Sequence, residues 1–181
     1  MRKAFIMQAA AALVLTASHN TLAAEEKAQP MNAVGPVVAE DHATLLASDD
    51  PQLAANKRLV YDMYRIVLQA GLAGRAHEFV TENYVQHNPN AAQGLDGLIE
   101  YVRSTRPERE IKEKLELPLI QLIAEGNYVM TSFVRPEKDA KGETYYSTWF
   151  DLYRIENGKV AEHWDPMLKS DPRIDPNDKK L

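Results

Sequence analysis

Two strand-like runs joined by a tight turn, over residues 149–165, constrain the fold more than any other part of this chain. The runs Trp-Phe-Asp-Leu-Tyr-Arg-Ile and Val-Ala-Glu-His-Trp-Asp flank the segment Glu-Asn-Gly-Lys. The residues Glu156-Asn157-Gly158 suit a three-residue loop, in which a type I turn is closed by the glycine in the left-handed conformation. In that register Asp151 faces His163 across the hairpin, and Trp149 faces Asp165.

This register also predicts which side chains share a face of the sheet, because side chains alternate between the two faces of a strand. The shared set comprises Trp149, Asp151, Tyr153, Ala161, His163 and Asp165. A carboxylate opposite an imidazole, flanked by aromatic rings, predicts an acid/base pair. The alternative is an exposed cross-strand ion pair, which contributes on the order of 0.2–1 kcal/mol. A two-residue Asn157-Gly158 turn would instead place Asp151 and His163 on opposite faces.

The first residues predict a secretory signal peptide that is not part of the fold. Arg2 and Lys3 precede an apolar run over residues 4–17, which is too short to span a bilayer comfortably. Small residues favour cleavage near Ala23 or Ala24. A permanent membrane anchor is the alternative, but no stop-transfer pattern follows the run. We therefore expect a periplasmic or secreted bacterial protein that is not held at the membrane after cleavage.

Charge and composition exclude several classes of function. The chain carries a net charge of −5, which becomes −7 without Arg2 and Lys3. An acidic chain without a basic run argues against binding to nucleic acid or to anionic membranes. It has no cysteine, so a disulfide, a thiolate nucleophile or a thiolate metal site is excluded. The sequence also lacks the usual nucleotide-binding and zinc-protease motifs.

The periodicity of apolar residues predicts one α+β domain over residues 50–168. A flexible lead over residues 24–49 precedes it, and a polar tail over residues 169–181 follows it. Helices are predicted over residues 49–71, 73–81 and 94–105, and strands over 84–89, 115–124, 128–135, 144–155 and 159–165. Helices followed by an antiparallel meander favour a curved sheet wrapped around three helices.

Several of these segments together resemble a known family. They are residues 84–89 (Tyr-Val-Gln-His-Asn-Pro), the Gly-Leu-Asp-Gly turn at 94–97, Asp-Leu-Tyr-Arg at 151–154, and Gly-Lys-Val-Ala-Glu-His-Trp-Asp at 158–165. In this order they resemble the SnoaL-like branch of the nuclear-transport-factor-2-like superfamily, which contains polyketide cyclases and predicted aldol-condensation enzymes. The resemblance implies a cone-shaped, cystatin-like α+β barrel with Asp151 directed into the cone.

The resemblance also implies roles for two residues. In the cyclases the aspartate at the position of Asp151 looks like the general acid/base of an aldol closure, and in the related ketosteroid isomerases it is a protonated oxyanion-hole donor. Tyr64 falls where those isomerases keep an oxyanion-hole tyrosine. The alternative for Tyr64 is a core aromatic residue whose hydroxyl finds a partner.

Two departures from the family pattern limit this assignment. The isomerases place a catalytic carboxylate where this chain has Asn88, and an amide cannot abstract a proton. The cyclases often carry a histidine on the strand over residues 130–133, where this chain has none. His163 and His87 are then the nearby imidazoles, and His87 serves equally well as a histidine satisfied at a strand end.

The resulting hypothesis assigns catalysis to three residues. His163, or a water that it holds, takes a proton next to a carbonyl, while Asp151 and Tyr64 donate to the developing enolate oxygen. Predicted ligand-binding residues are His87, Tyr84, Trp149, Tyr153 and Asp165. No cofactor is expected, and no metal, because His87 and His163 lack ligand spacing with a carboxylate.

The rival hypothesis is a non-catalytic module that binds a hydrophobic small molecule or forms a dimer. Four apolar residues are predicted to alternate onto the outer face of the sheet: Phe150, Leu152, Val160 and Trp164. Exposed apolar patches of this kind usually mark interfaces. The sequence therefore predicts a homodimer through that face.

Overall fold

The computed structural model describes residues 37–169, so the predicted signal peptide and most of the predicted tail lie outside the described residues. The elements are α1 (His42–Leu46), α2 (Pro51–Met63) continued by a π-helical turn (Tyr64–Gln69), a 3₁₀ turn (Ala73–Arg75), α3 (Ala76–Phe79), β1 (Val80–Gln86), α4 (Gly94–Thr105), β2 (Leu119–Glu125), β3 (Tyr128–Lys138), β4 (Thr144–Glu156) and β5 (Lys159–Trp164). Within residues 37–169, no helix has both the length and the apolar composition that crossing a membrane requires.

The five strands form one mixed, curved sheet in the order β1-β5-β4-β3-β2. Strand β1 runs parallel to β5, and the other neighbours are antiparallel. The helices cover one face, here called the inner face, and the core lies between them and the sheet. Val60 of α2, Val102 of α4 and Val129 of β3 are fully buried in this core. The predicted α+β class is confirmed.

The helical segment formed by α2 and the π-helical turn begins and ends where the sequence predicts. The side chain of Asp50 accepts hydrogen bonds from the backbone N–H groups of Gln52 and Leu53, and Pro51 occupies the first turn. The helical segment ends before Gly71, whose φ is +71°. The sequence did not predict that the last turns are π-helical.

We expect Gly71→Ala to lower the free energy of unfolding by about 1–3 kcal/mol, because alanine tolerates a positive φ poorly. An added Cβ would also lie 2.5 Å from the carbonyl oxygen of Pro107. Gly74→Ala is the matched control, since a Cβ there meets nothing within 4 Å. Urea denaturation of both variants checks this, and equal midpoints would contradict it.

The 149–165 hairpin has a different register from the predicted one. Asn157 and Gly158 both have positive φ, at 51° and 73°, and form a two-residue turn that pairs Glu156 with Lys159. The predicted three-residue loop is therefore wrong. The next pairs are Ile155 with Val160 and Arg154 with Glu162, so Ala161 is the extra residue of a β-bulge.

The bulge at Ala161 puts Asp151 and His163 on the same face of the sheet. With the two-residue turn alone, they would lie on opposite faces. Beyond the bulge His163 pairs with Tyr153, not with Asp151, and the predicted pair of Trp149 with Asp165 is not formed because β5 ends at Trp164. Since Asp151 and Tyr153 are two positions apart on β4, Asp151 and His163 still lie on the same face. Asp151 and His163 are therefore neighbours, as predicted, although the predicted register is wrong.

Other boundaries differ from the predictions as well. The predicted helix over 73–81 ends at Phe79, because Val80 begins β1 and is buried beside its partner Val160. The strand predicted over 84–89 overlaps β1 only at residues 84–86. Val160 was predicted on the outer face, but the two-residue turn pairs it with the buried Ile155, and Val160 lies in the core. The predicted flexible lead over 24–49 contains α1, whose Leu46 is buried.

Candidate functional site

Asp151, in the middle of β4, is the centre of a buried cluster on the inner face of the sheet. Its side chain is almost inaccessible, and the residue is 6% exposed. Oδ2 accepts a hydrogen bond from the hydroxyl of Tyr64. Oδ1 accepts one from Trp149 Nε1 at 2.9 Å and lies 2.9 Å from His163 Nε2. Both carboxylate oxygens are therefore held by side chains from three different positions of the fold.

Tyr64 reaches Asp151 from the first residue of the π-helical turn. Its hydroxyl accepts a hydrogen bond from Tyr153 at 2.8 Å and lies 3.3 Å from Thr131 Oγ1. Burial raises the pKa of Tyr64 well above its ordinary value, and the charge of Asp151 raises it further. The same two causes raise the pKa of Tyr153. Both hydroxyls keep their protons at neutral pH, so the chain Tyr153–Tyr64–Asp151 donates toward the carboxylate.

His163 is fixed on the other side of Asp151 by contacts on both of its ring nitrogens. Nε2 faces Asp151, and Nδ1 lies 3.0 Å from Gln86 Oε1. The ring also stacks on Tyr153, with 4.7 Å between centroids. The β-bulge at Ala161 is what turns this side chain inward. The predicted contact between His163 and Asp151 is present.

The indole ring of Trp149 lies beside the carboxylate of Asp151. The guanidinium group of Arg135 lies 4.5 Å from the centre of this ring, in cation–π geometry. Arg135 also forms an ion pair with the buried Glu137 at 2.6 Å. The half-buried indole is thus held between its bond to Asp151 and a fixed cation.

Tyr84 and Asp165 complete the cluster from β1 and from the end of β5. Burial, together with the charges of Asp151 and Asp165, raises the pKa of Tyr84 far above its ordinary value. Asp165 Oδ2 accepts a hydrogen bond from Asn88 Nδ2 at 2.7 Å. Asn88, noted above as a departure from the isomerase pattern, therefore orients a carboxylate here.

One cluster in the described part of the chain has the donor set for a cation. Ligand atoms of Asp151, His163 and Asp165 all lie within 4.8 Å of one another. In this structure those groups bind each other and Asn88, so the donors are satisfied by hydrogen bonds. The cluster does not include His87.

His87 does not lie with the other predicted site residues. Its ring stacks on Trp164 at 4.4 Å, and its Nε2 lies 2.8 Å from Glu162 Oε2. It is exposed on the outer face of the sheet, opposite Asp151. Alternation along β1 explains this, because Tyr84 and Gln86 take the inward positions. The prediction that His87 contributes to the pocket is corrected, and Gln86 is the residue that the sequence argument missed.

The fold and this buried carboxylate define the class of protein. The family model of the SnoaL-like domain matches residues 60–163, which is more than half of the 181 residues. The chain belongs to the SnoaL-like domain family. The predicted resemblance is confirmed.

Solved structures to which the chain is similar include three bacterial proteins. TsrD from Streptomyces laurentii is 23% identical, with 65% of this chain and 90% of that chain covered and a TM-score of 0.44. A protein assigned as a polyketide cyclase from Acidithiobacillus ferrooxidans is 16% identical over 66% and 89%, with a TM-score of 0.46. An epoxide hydrolase of the LEH-like kind from M. tuberculosis is 14% identical over 64% and 84%, with a TM-score of 0.47. No curated protein matches the sequence.

Proposed function

We propose that this chain is a cofactor-free acid/base enzyme that acts on a small hydrophobic compound with an enolisable carbonyl group. The reaction is of the aldol type, as a cyclase, isomerase or lyase. The observation that supports this best is the buried Asp151, held between the hydroxyl of Tyr64 and the imidazole of His163. Membership of the SnoaL-like family supports action on a small molecule.

In the proposed reaction a C–H bond next to the substrate carbonyl breaks. Its proton passes to the pair formed by Asp151 and His163, and its electrons form an enolate. Tyr64 turns its O–H from Asp151 to the enolate oxygen. The enolate carbon then bonds to a second carbonyl carbon or is reprotonated, and the pair returns the proton. Positioned proton transfer contributes about 10²–10⁴-fold and an oxyanion donor about 10²–10³-fold.

The surroundings of Asp151 favour a flat, apolar ligand. Tyr84 and Tyr153 are buried around it, and Trp149 and Asp165 are the partly exposed members of the cluster. A ligand would approach Asp151 past these last two side chains. The aromatic rings would exclude water, which strengthens hydrogen bonds to the developing charge.

Deuterium exchange tests the proposal without knowledge of the final product. The purified protein is incubated in deuterated water with a panel of apolar ketones and diketones, and mass spectrometry follows incorporation next to the carbonyl. Incorporation above the buffer rate for at least one compound is expected. A panel that shows no protein-dependent exchange would count against an enolising enzyme.

We further propose that the protein is exported and that residues 1–23 are removed. The basic start and the short apolar run of the sequence support this. The expected mature N-terminus lies near Ala24, and intact-mass measurement of the protein from the periplasm of its bacterial host checks it. A mature chain that still begins at Met1 would refute both the export and the corrected charge of −7.

A homodimer through the outer face of the sheet is the remaining part of the proposal. Four large apolar side chains lie in one cross-strand row: Ile123, Met130, Leu152 and Trp164. Ile123 is 48% exposed and the adjacent Phe150 is 47% exposed. Because one continuous apolar row covers four strands, a second copy of this face is the proposed partner.

We expect Phe150→Glu to convert the dimer to monomers, because an unpaired charge buried in an apolar contact costs several kcal/mol. Tyr101→Glu on α4 is the matched control, since Tyr101 is 49% exposed but lies away from the sheet. Size-exclusion chromatography with light scattering at micromolar concentration measures both variants. The dimer is disproved if the unmodified protein runs as a monomer.

A further inference from the structure

Gln86 on β1 has an amide whose orientation the structure fixes. Its Oε1 accepts a hydrogen bond from the backbone N–H of Asn88 at 2.9 Å, and its Nε2 lies 3.2 Å from the hydroxyl oxygen of Tyr84. Exchanging the oxygen and nitrogen positions would set the NH₂ group against the N–H of Asn88. The carbonyl oxygen of this amide therefore occupies the Oε1 position.

That oxygen lies 3.0 Å from Nδ1 of His163. A carbonyl oxygen only accepts hydrogen bonds, so Nδ1 must carry a proton. The oxygen thus selects one form of the imidazole, the one with Nδ1–H. A neutral ring in this form has a lone pair on Nε2.

The lone pair on Nε2 would face another acceptor. Asp151 Oδ1 lies 2.9 Å from it and already accepts a hydrogen bond from Trp149. Two acceptors at this distance repel each other unless a proton lies between them. Either His163 is an imidazolium beside a carboxylate, or Asp151 is protonated beside a neutral ring. Both descriptions place one proton on the axis that joins the two residues.

We propose that Gln86 is a positioning residue that holds His163 with a proton on Nδ1 and thereby keeps one further proton between His163 and Asp151. Its catalytic meaning rests on the proposed function. As the pair takes the proton of the C–H bond, the further proton would pass from the pair to the developing enolate oxygen, beside the O–H of Tyr64. The enol forms, and the pair is restored for the next turnover.

Nitrogen-15 NMR of the full-length protein, with labelled histidine at neutral pH, tests this without any substrate. The chain has five histidines, so the spectrum of His163→Gln assigns the signals of His163. We expect a protonated Nδ1 in the unmodified protein. Gln86→Met removes the acceptor at similar volume, so Nδ1 should lose its proton while the proton between Nε2 and Asp151 remains. An unprotonated Nδ1 in the unmodified protein would overturn the proposal.

Gln86→Glu is the conservative variant that should restore the original form. A carboxylate at this position still accepts from Nδ1 and from the backbone of Asn88, whereas methionine cannot. If Nδ1 stays protonated in Gln86→Met, the oxygen of Gln86 does not select the form, and the proposal fails. These spectra do not depend on turnover, so a protein that lacks enolising activity but shows the expected signals refutes the proposed function alone.

Discussion

Asp151→Asn is expected to lower protein-dependent deuterium exchange into an enolisable carbonyl compound by about 10²-fold or more while the fold is retained. Asparagine has nearly the same shape, and its oxygen can still accept from Tyr64 or Trp149. Its amide group can also donate to Nε2 of His163 when Nδ1 carries the proton. What asparagine cannot do is exchange a proton with a substrate. The change therefore removes proton transfer and keeps most of the contacts.

Asp96→Asn is the matched control for Asp151→Asn. Asp96 lies in the first turn of α4 and makes none of the contacts of the cluster. Its replacement should leave exchange within about twofold of the unmodified protein, since it makes no contact with the reacting groups. If Asp151→Asn changes only the affinity for a ligand, and no exchange is found in the unmodified protein, the site is a binding pocket. That outcome would select the non-catalytic module.

Local signals in the sequence predicted the parts of the fold that depend on neighbouring residues. Asp50 and Pro51 start α2 because they satisfy and pre-set the first turn, and α4 has the predicted bounds Gly94–Thr105. Asp41 caps α1 in the same way, accepting from the backbone of Ala43 and Thr44, but five helical residues are too few for a periodicity to show. This is why the lead was predicted to be flexible.

The register of the hairpin could not be predicted from the turn alone. Asn157-Gly158 is the stronger signal for a two-residue loop, and the structure adopts it. The bulge at Ala161 has no local signal, because it is set by how β5 packs between β1 and β4. The wrong turn type and the missed bulge therefore cancelled for Asp151 and His163, which lie on one face as predicted. Val160 was predicted on the wrong face. Two residues can thus be correctly predicted to be neighbours from a wrong strand register when a bulge shifts the register back.

The alternation of side chains along β1 could have identified Gln86 as a site residue. Tyr84 was predicted to line the site, so residues two and four positions further along share its face, and these are Gln86 and Asn88. His87 was predicted instead because of its chemistry, although its position alternates outward. The wider arrangement around Tyr64 depends on the π-helical turn, which has no sequence signature in this chain. The role of Tyr64 beside Asp151 was predicted from the family resemblance.

Tyr64→Phe is the second replacement with a large expected effect, a loss of about 10²–10³-fold in deuterium exchange. Phenylalanine keeps the ring in the core but removes the only atom of Tyr64 that bonds Asp151. In the proposed reaction that hydroxyl stabilises the enolate oxygen, and burial keeps it protonated by raising its pKa. The loss should appear in the rate of exchange at saturating substrate, because the interaction is stronger in the transition state than in the bound substrate.

A buried tyrosine one turn earlier on the same helix separates this effect from a general loss of stability. The hydroxyl of Tyr61 accepts a hydrogen bond from the backbone N–H of Leu115 at 2.9 Å and lies 2.7 Å from Nδ1 of His42. Neither contact involves Asp151. Tyr61→Phe leaves that buried N–H without its acceptor, which should cost about 1–3 kcal/mol of unfolding free energy. Its exchange rate should stay near that of the unmodified protein at a temperature where both are folded. If the two phenylalanine variants lose exchange activity to the same extent, Tyr64 contributes only to the stability of the core, and the oxyanion role assigned to it is wrong.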